Sequence, residues 1–329
     1  MKISLLLLLI LLPLSLLTGS VDIDAAQVWA VLTGADKADE LARFVIIESR
    51  LPQTLTAILA GASLALSGLV MQTLFCNPLA DPSLLGVNSG ASLGAALAML
   101  VFGGSFALGG ASVQGVLLTV SAAFAGACGV IALLTVCSRY LRGNLSLLIA
   151  GVMISFAVSA LISLLSFYAT ADGVRSYIVW GMGDFTGVPL PRTALFATLT
   201  AVPALLICGM ARPLNALLLG PDYAANLGIR VRRIRTRLLV LTGLLTATVT
   251  ALCGPISFVG LAVPHIARLL LRTADHRRLL PCTLLLGADV ALLSLVLTRL
   301  PGERGTLPLA AITPLMGVPV VLYILLRRR

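Results

Sequence analysis

The feature that most constrains this chain is the recurrence of long apolar runs separated by short polar stretches. One bilayer crossing takes about 20 predominantly apolar residues, because every backbone polar group must be satisfied within the segment. Such runs lie at 1–20, 53–75, 87–102, 113–137, 145–168, 192–209, 238–252, 255–271, 280–298 and 309–326. They predict an all-α polytopic membrane protein of about ten transmembrane helices. Only 11% of the 329 residues are charged, against roughly 25% in soluble domains. Too little aqueous chain remains for a second, soluble domain, so one transmembrane domain over 1–329 is expected. The first run, broken by Pro13, could be a signal peptide, but Leu17-Thr-Gly-Ser20 is a poor cleavage site and a retained span is expected.

An even number of spans puts both ends on one side, and the charges say which. With the N-terminus inside, 16 of the 23 Lys and Arg fall in inner loops with three acids, Asp81, Asp222 and Asp275. The outer loops then hold seven basic residues against nine acids. Basic residues concentrate on cytoplasmic loops, so both termini are expected in the cytoplasm. Topology thereby accounts for the net charge of +10, and no nucleic-acid partner is implied.

Several chemistries have no residues to carry them. The six cysteines are scattered through apolar segments without a CxxC pair, so neither a disulfide framework nor a metal site is expected. There is no GxxxxGK[ST] loop to cradle a nucleotide phosphate, and no HExxH or GxSxG. The two histidines, His265 and His276, stand outside any catalytic cluster. His265 precedes Arg268 by one helical turn and reads as a structural hydrogen-bonding group. An ion-coupled carrier would keep acids inside its spans, and Asp289 is the one clear case, read as a polar residue facing the bundle near its cytoplasmic end. That scarcity disfavours an ion-coupled secondary transporter and a membrane-embedded enzyme alike.

Two stretches interrupt the helical pattern. Pro78 and Pro82 bracket Cys-Asn-Pro-Leu-Ala-Asp-Pro after the second run, and Pro255 and Pro264 flank Ile256 to Val263 in the eighth. Proline removes a donor and disfavours helix before it. At membrane depth such breaks survive only where protein or a water-filled cavity satisfies the freed groups. Small residues at helical spacing, Gly61, Ala65 and Gly68 in the second run and Ala122, Gly126 and Gly129 in the fourth, predict close helix contacts.

The stretches Arg50-Leu-Pro-Gln-Thr-Leu, Gly61 to Gln72, Asn77-Pro-Leu-Ala-Asp-Pro82 and Leu85-Gly-Val-Asn-Ser-Gly-Ala91 resemble the FecCD family, the iron-chelate and cobalamin uptake permeases of bacterial ABC importers. Gly254 to Arg268, followed by Asp275-His-Arg-Arg-Leu-Leu-Pro281, resembles the family's second signature region, and Leu219-Gly220 to Leu227-Gly228 its ATPase-facing loop. The resemblance implies a type II ABC importer permease fold in the bacterial inner membrane. Implied partners are a second permease subunit in a homodimer or with a paralogue, two ATP-binding cassette ATPase subunits, a substrate-binding protein and membrane lipid. The cargo would be a ferric siderophore, haem or cobalamin. This chain would bind no cofactor, and ATP and Mg would be used by the partner ATPase.

The resemblance also assigns roles. The loop 210–237 would couple to the ATPase through Gly220, Ala224, Leu227 and Gly228, on a short helix opened by Pro221 and closed by Gly228. Asn77 and Leu79, with Gly143, Asn144 and Leu145, would form the cytoplasmic gate. Arg50 and Arg299 would receive acidic residues of the substrate-binding protein, a guanidinium matching a carboxylate bidentately. Three positions depart from the family: Gln53 replaces a second Arg, Leu295 an Asp, and Thr306-Leu-Pro-Leu-Ala310 a Glu-Leu-Pro-x-Gly.

Overall fold

The structure, a computed structural model, describes residues 2–34, 39–103, 105–108, 111–141, 144–301 and 305–327. Its helices are α1 (Lys2–Leu17), α2 (Ala25–Thr33), α3 (Glu40–Phe44), α4 (Leu51–Leu74), α5 (Val87–Ala96), α6 (Val116–Tyr140), α7 (Asn144–Tyr168) and α8 (Ala171–Gly181). They continue as α9 (Leu190–Cys208), α10 (Ala211–Leu217), α11 (Pro221–Asn226), α12 (Val231–Cys253), α13 (Val259–Leu271), α14 (His276–Thr298) and α15 (Leu309–Arg327). A two-stranded hairpin, Ser105–Leu108 with Ala111–Gln114, is the one sheet among the described residues.

Every apolar run coincides with a helix. Among the described residues six helices are long and apolar enough to cross a membrane: Glu40–Leu74, Val116–Ser138, Leu145–Tyr168, Leu190–Cys208, Val231–Cys253 and His276–Thr298. Four more, Lys2–Leu17, Val87–Val101, Val259–Leu271 and Leu309–Tyr323, are apolar but shorter. The first of these six is one continuous rod, because α3 runs through a π-helical turn, Val45–Arg50, into α4. Pro52 cannot donate to the carbonyl four residues back, and a wider turn ahead of it absorbs that loss.

The bundle is organised on α4, which is buried along most of its length and packs chiefly against α14, α13 and α12. The predicted small-residue face is the reason it can. A Cβ placed on Gly61 would lie 2.1 Å from the Gly287 carbonyl oxygen, and one on Gly68 only 1.8 Å from that of Gly260. Backbones therefore touch directly, which supplies dispersion contacts where lipid gives no hydrophobic drive for association. In the fourth run Ala122 and Gly126 do the same, meeting Gly94 and Gly90 of α5, whereas Gly129 faces open space. The first helix is part of the bundle: Ser4 Oγ on α1 donates to Asp289 Oδ2 on α14 at 2.6 Å, both groups being buried. Asp289 is thus a bundle-facing polar group, as its sequence suggests.

Candidate functional site

The two interrupted stretches, 170 residues and more apart in sequence, meet at the end of α4. After Leu74 the chain turns through Cys76, which takes a left-handed φ of 49°. Asn77 Oδ1 accepts the Leu79 backbone N–H at 2.9 Å, a side-chain mimic of a backbone turn. Asp81 then caps the 3-10 turn Pro82–Leu85, its Oδ1 accepting the Ser83 N–H at 2.8 Å and the Ser83 hydroxyl at 2.5 Å. Burial pushes the Asp81 carboxyl above the usual range, against the two Ser83 bonds. On the other side, α12 ends at Gly254 (φ 73°), and Phe258, also left-handed, opens α13. Pro255 lies in this break, but Pro264 does not: it sits inside α13. The expectation that both prolines interrupt the segment is corrected accordingly.

Three side chains join the two stretches. Gln72 Nε2 donates to the Leu261 carbonyl at 3.1 Å, and Arg268 Nη1 donates to Gln72 Oε1 at 2.6 Å. His265 Nε2 lies 2.8 Å from the Pro78 carbonyl, which can only accept, so that nitrogen carries the proton. His265 and Arg268 therefore both act as structural groups that bond across the junction.

Below this junction α10 and α11 form the surface loop. Pro221 opens α11 and Gly228, at φ 80°, closes it, with Gly228 N–H bonded to the Ala225 carbonyl at 2.9 Å. Of the expected coupling residues, Gly220 is half-buried, Leu227 is 59% exposed and Gly228 is exposed, but Ala224 is fully buried. Ala224 is accordingly corrected: it faces the bundle, and the surface is offered by Leu219, Tyr223 and Leu227. A polar chain invisible in the sequence ties this loop to the bundle. Asn215 Nδ2 donates to Asp275 Oδ1 at 2.6 Å, and Asn215 Oδ1 accepts from His276 N at 2.8 Å and Nδ1 at 2.9 Å. His276 Nε2 meets Thr73 Oγ1 at 2.8 Å. The Arg277 N–H and the Asn215 amide hold the half-buried Asp275 carboxyl below its ordinary range.

The expected gate residues are only partly in view. Asn77 is half-buried and Leu79 exposed at the turn, and Leu145 is exposed at the start of α7. Gly143 and the Asn144 side chain lie outside the described residues. The turn's far end reaches α7 at Gly86, where a Cβ would stand 3.1 Å from the Gly151 carbonyl.

At the opposite end of α4, Arg50 and Arg299 both turn inward. Arg50 is 2% exposed, its Nη1 donating to the carbonyls of Leu16 (2.6 Å) and Leu17 (2.8 Å) and its Nη2 to Val21. Arg299 Nη1 donates to Ser15 (2.6 Å) and Thr18 (3.0 Å), and its Nη2 to Gln53 Oε1. With Thr18 N–H on Leu14 O, all four final carbonyls of α1 are satisfied, and two cations oppose the negative end of its dipole. The expectation that Arg50 presents its guanidinium to a partner is corrected: it is a helix cap, buried because those carbonyls need donors. Arg299 keeps a partly exposed edge on a cleft of about 120 Å³ that it shares with Ser49, Gln53, Thr186 and Thr306. Burial and the nearby Arg50 charge bring its pKa down to about 10. Leu295, the second departure, is buried apolar filling. Among the described residues no group of three His, Cys, Asp or Glu could hold a metal.

Comparison with known proteins matches this arrangement. The vitamin B12 import system permease protein BtuC of Citrobacter koseri is 40% identical over 283 residues, covering 85% of this chain and 82% of that protein. The BtuC of Escherichia coli O17:K52:H18 is 38% identical over 321 residues, covering 95% and 93%. Among solved structures, an inward-facing conformation of a metal-chelate type ABC transporter superimposes with a TM-score of 0.84 at 30% identity, over 100% of this chain and 99% of that one. PsaBC from Streptococcus pneumoniae, at 15% identity and a TM-score of 0.55 over 90% and 94%, shares the fold. The FecCD transport family model matches residues 7–327, and this chain belongs to that family.

Proposed function

We propose that this permease passes a metal chelate inward across the bacterial inner membrane, with a corrinoid as the first cargo to test and ferric siderophores and haem as the others. The observation that carries the reading is the junction of Gln72, Pro78, His265 and Arg268. It gathers the two signature stretches into one broken, polar region of an otherwise apolar bundle, as a substrate path requires. The corrinoid is put first because the named relatives import vitamin B12.

The ten apolar helices act as ten spans with both termini cytoplasmic, in line with the charge asymmetry. Two copies, or one copy and a paralogue, enclose the path. Large apolar groups of α7 left uncovered in one chain, Phe156, Leu164 and Phe167 among them, favour an apolar neighbour, protein or lipid. Asn77, Leu79, Gly143, Asn144 and Leu145 close the path on the cytoplasmic side. Two ATPase subunits dock on Leu219, Gly220, Tyr223, Leu227 and Gly228 and supply the ATP and Mg chemistry, for which this chain has no phosphate loop. The substrate-binding protein docks over the cleft beside Arg299, with Arg50 holding α1 behind it.

The test is reconstitution of the permease in proteoliposomes with its ATPase and substrate-binding protein, offering labelled cyanocobalamin, a ferric siderophore and haem in turn. Saturable uptake of the corrinoid, competed by unlabelled corrinoid, is expected. Uptake of none of the three chelates would overturn the assignment.

A further inference from the structure

The chain Asp275–Asn215–His276–Thr73 is fully formed, lies outside the junction, and crosses three helices. Its hydrogens can be placed. The Asp275 carboxylate accepts from Asn215 Nδ2 at 2.6 Å, which fixes the amide's orientation and points Oδ1 at His276. That oxygen only accepts, so His276 Nδ1 carries a proton at 2.9 Å. In the neutral ring Nε2 then only accepts, and Thr73 must donate to it across 2.8 Å. Yet the same hydroxyl also lies 3.0 Å from the Leu69 carbonyl of its own helix. It has one proton and two acceptors, one within α4 and one on α14.

The location gives this choice a consequence. Thr73 is the penultimate residue of α4, directly before the turn that begins at Cys76, and Asn215 is in α10, which leads into α11. Cys76 Sγ also approaches the Leu217 carbonyl of α10 at 4.0 Å. His276 is 0% exposed and Thr73 2%, so water does not compete for the bonds. Resting on the reading of α11 as the ATPase contact, we propose that His276 is a positioning residue that latches α10 and α11 to the end of α4. Displacement of α11 is thereby carried to the Cys76–Asp81 turn. When α10 draws the ring away, Thr73 falls back on Leu69, and the latch opens without stranding the hydroxyl.

Thr73→Val keeps the side chain's shape and removes its proton, Thr73→Ser restores the hydroxyl, and His276→Ala removes the ring. In the reconstituted complex, uptake per ATP hydrolysed should fall roughly tenfold in Thr73→Val and His276→Ala, within the usual range of coupling energies. Hydrolysis without cargo should stay near wild type, and Thr73→Ser should recover the ratio. A wild-type ratio in Thr73→Val, or a Thr73→Ser variant as defective as Thr73→Val, would overturn the latch. If the wild-type complex shows no ATP-driven uptake, it is the functional reading that fails, and hydrogen exchange on the permease alone in nanodiscs decides the latch. Thr73→Val should then speed exchange in both 76–81 and 214–217, and wild-type exchange in either segment would overturn the proposal.

Discussion

Replacing Gly68 by Ala adds one methyl where α4 and α13 touch backbone to backbone. On the present backbone that carbon would lie 1.8 Å from the Gly260 carbonyl oxygen. A carbon tolerates an oxygen at roughly 3.3 Å, so the helices must part by about 1.5 Å, and neither partner is a side chain that can swing aside. A shift of that size carries the 3.1 Å Gln72–Leu261 bond past hydrogen-bonding range and strains the 2.6 Å Arg268–Gln72 bond. Overpacking costs about 1–3 kcal/mol and a bond to a charged group contributes about 1.5–3 kcal/mol. Helix propensity returns only about 1 kcal/mol for Gly to Ala, which leaves a net loss of about 3 kcal/mol. Gly129→Ala is the control, because a Cβ there meets nothing within 4 Å. Thermal unfolding of both variants in the same nanodiscs should lower the apparent Tm of Gly68→Ala by at least ~5 °C and leave Gly129→Ala at or above wild type. A Gly68→Ala protein as stable as Gly129→Ala would refute the backbone contact on which the junction rests.

Arg50→Met should release the end of α1, leaving the Leu16 and Leu17 carbonyls without donors at a cost of about 2–6 kcal/mol; proteolysis within residues 17–24 should accelerate, and an unchanged cleavage rate would return Arg50 to a surface role. For Asp81 the folded pKa is raised, so its contribution to stability is present below the unfolded value of about 3.9 and is lost as pH rises through the folded value. Wild-type Tm should therefore fall, as pH rises above about 4, by more than that of Asp81→Asn, whose amide oxygen can still accept from Ser83; parallel curves would contradict this. On α11, Leu227→Asp should weaken ATPase association with Tm unchanged, whereas Ala224→Leu should lower Tm by overpacking; equal effects on association would contradict the orientation of that helix.

Much of this was legible in the sequence, and the remainder has identifiable physical reasons. Hydropathy located every apolar helix because the bilayer leaves one solution for such a run. Spacing found the Gly61–Ala65–Gly68 face, but it also enlisted Gly129, because period alone cannot say where a neighbouring helix ends. Arg50 reads as a rim charge at the start of a span. What buries it is a set of orphan carbonyls on α1, 33 and 34 residues earlier. Ala224 and Leu227 invert the usual rule, the smaller residue facing the bundle and the larger one solvent, and a helix of six residues gives too little periodicity to reveal it. The Asn215–His276–Thr73 chain spans 61 and 203 residues of separation, and only the packing of α10 beneath α4 and α14 brings it together.

The measurement that tests the central claim most directly is the energy source of uptake. In proteoliposomes holding the permease, its ATPase and its substrate-binding protein, chelate accumulation should require hydrolysable ATP and persist when ionophores collapse the proton and sodium gradients. Accumulation that follows an imposed ion gradient and ignores ATP would contradict the account.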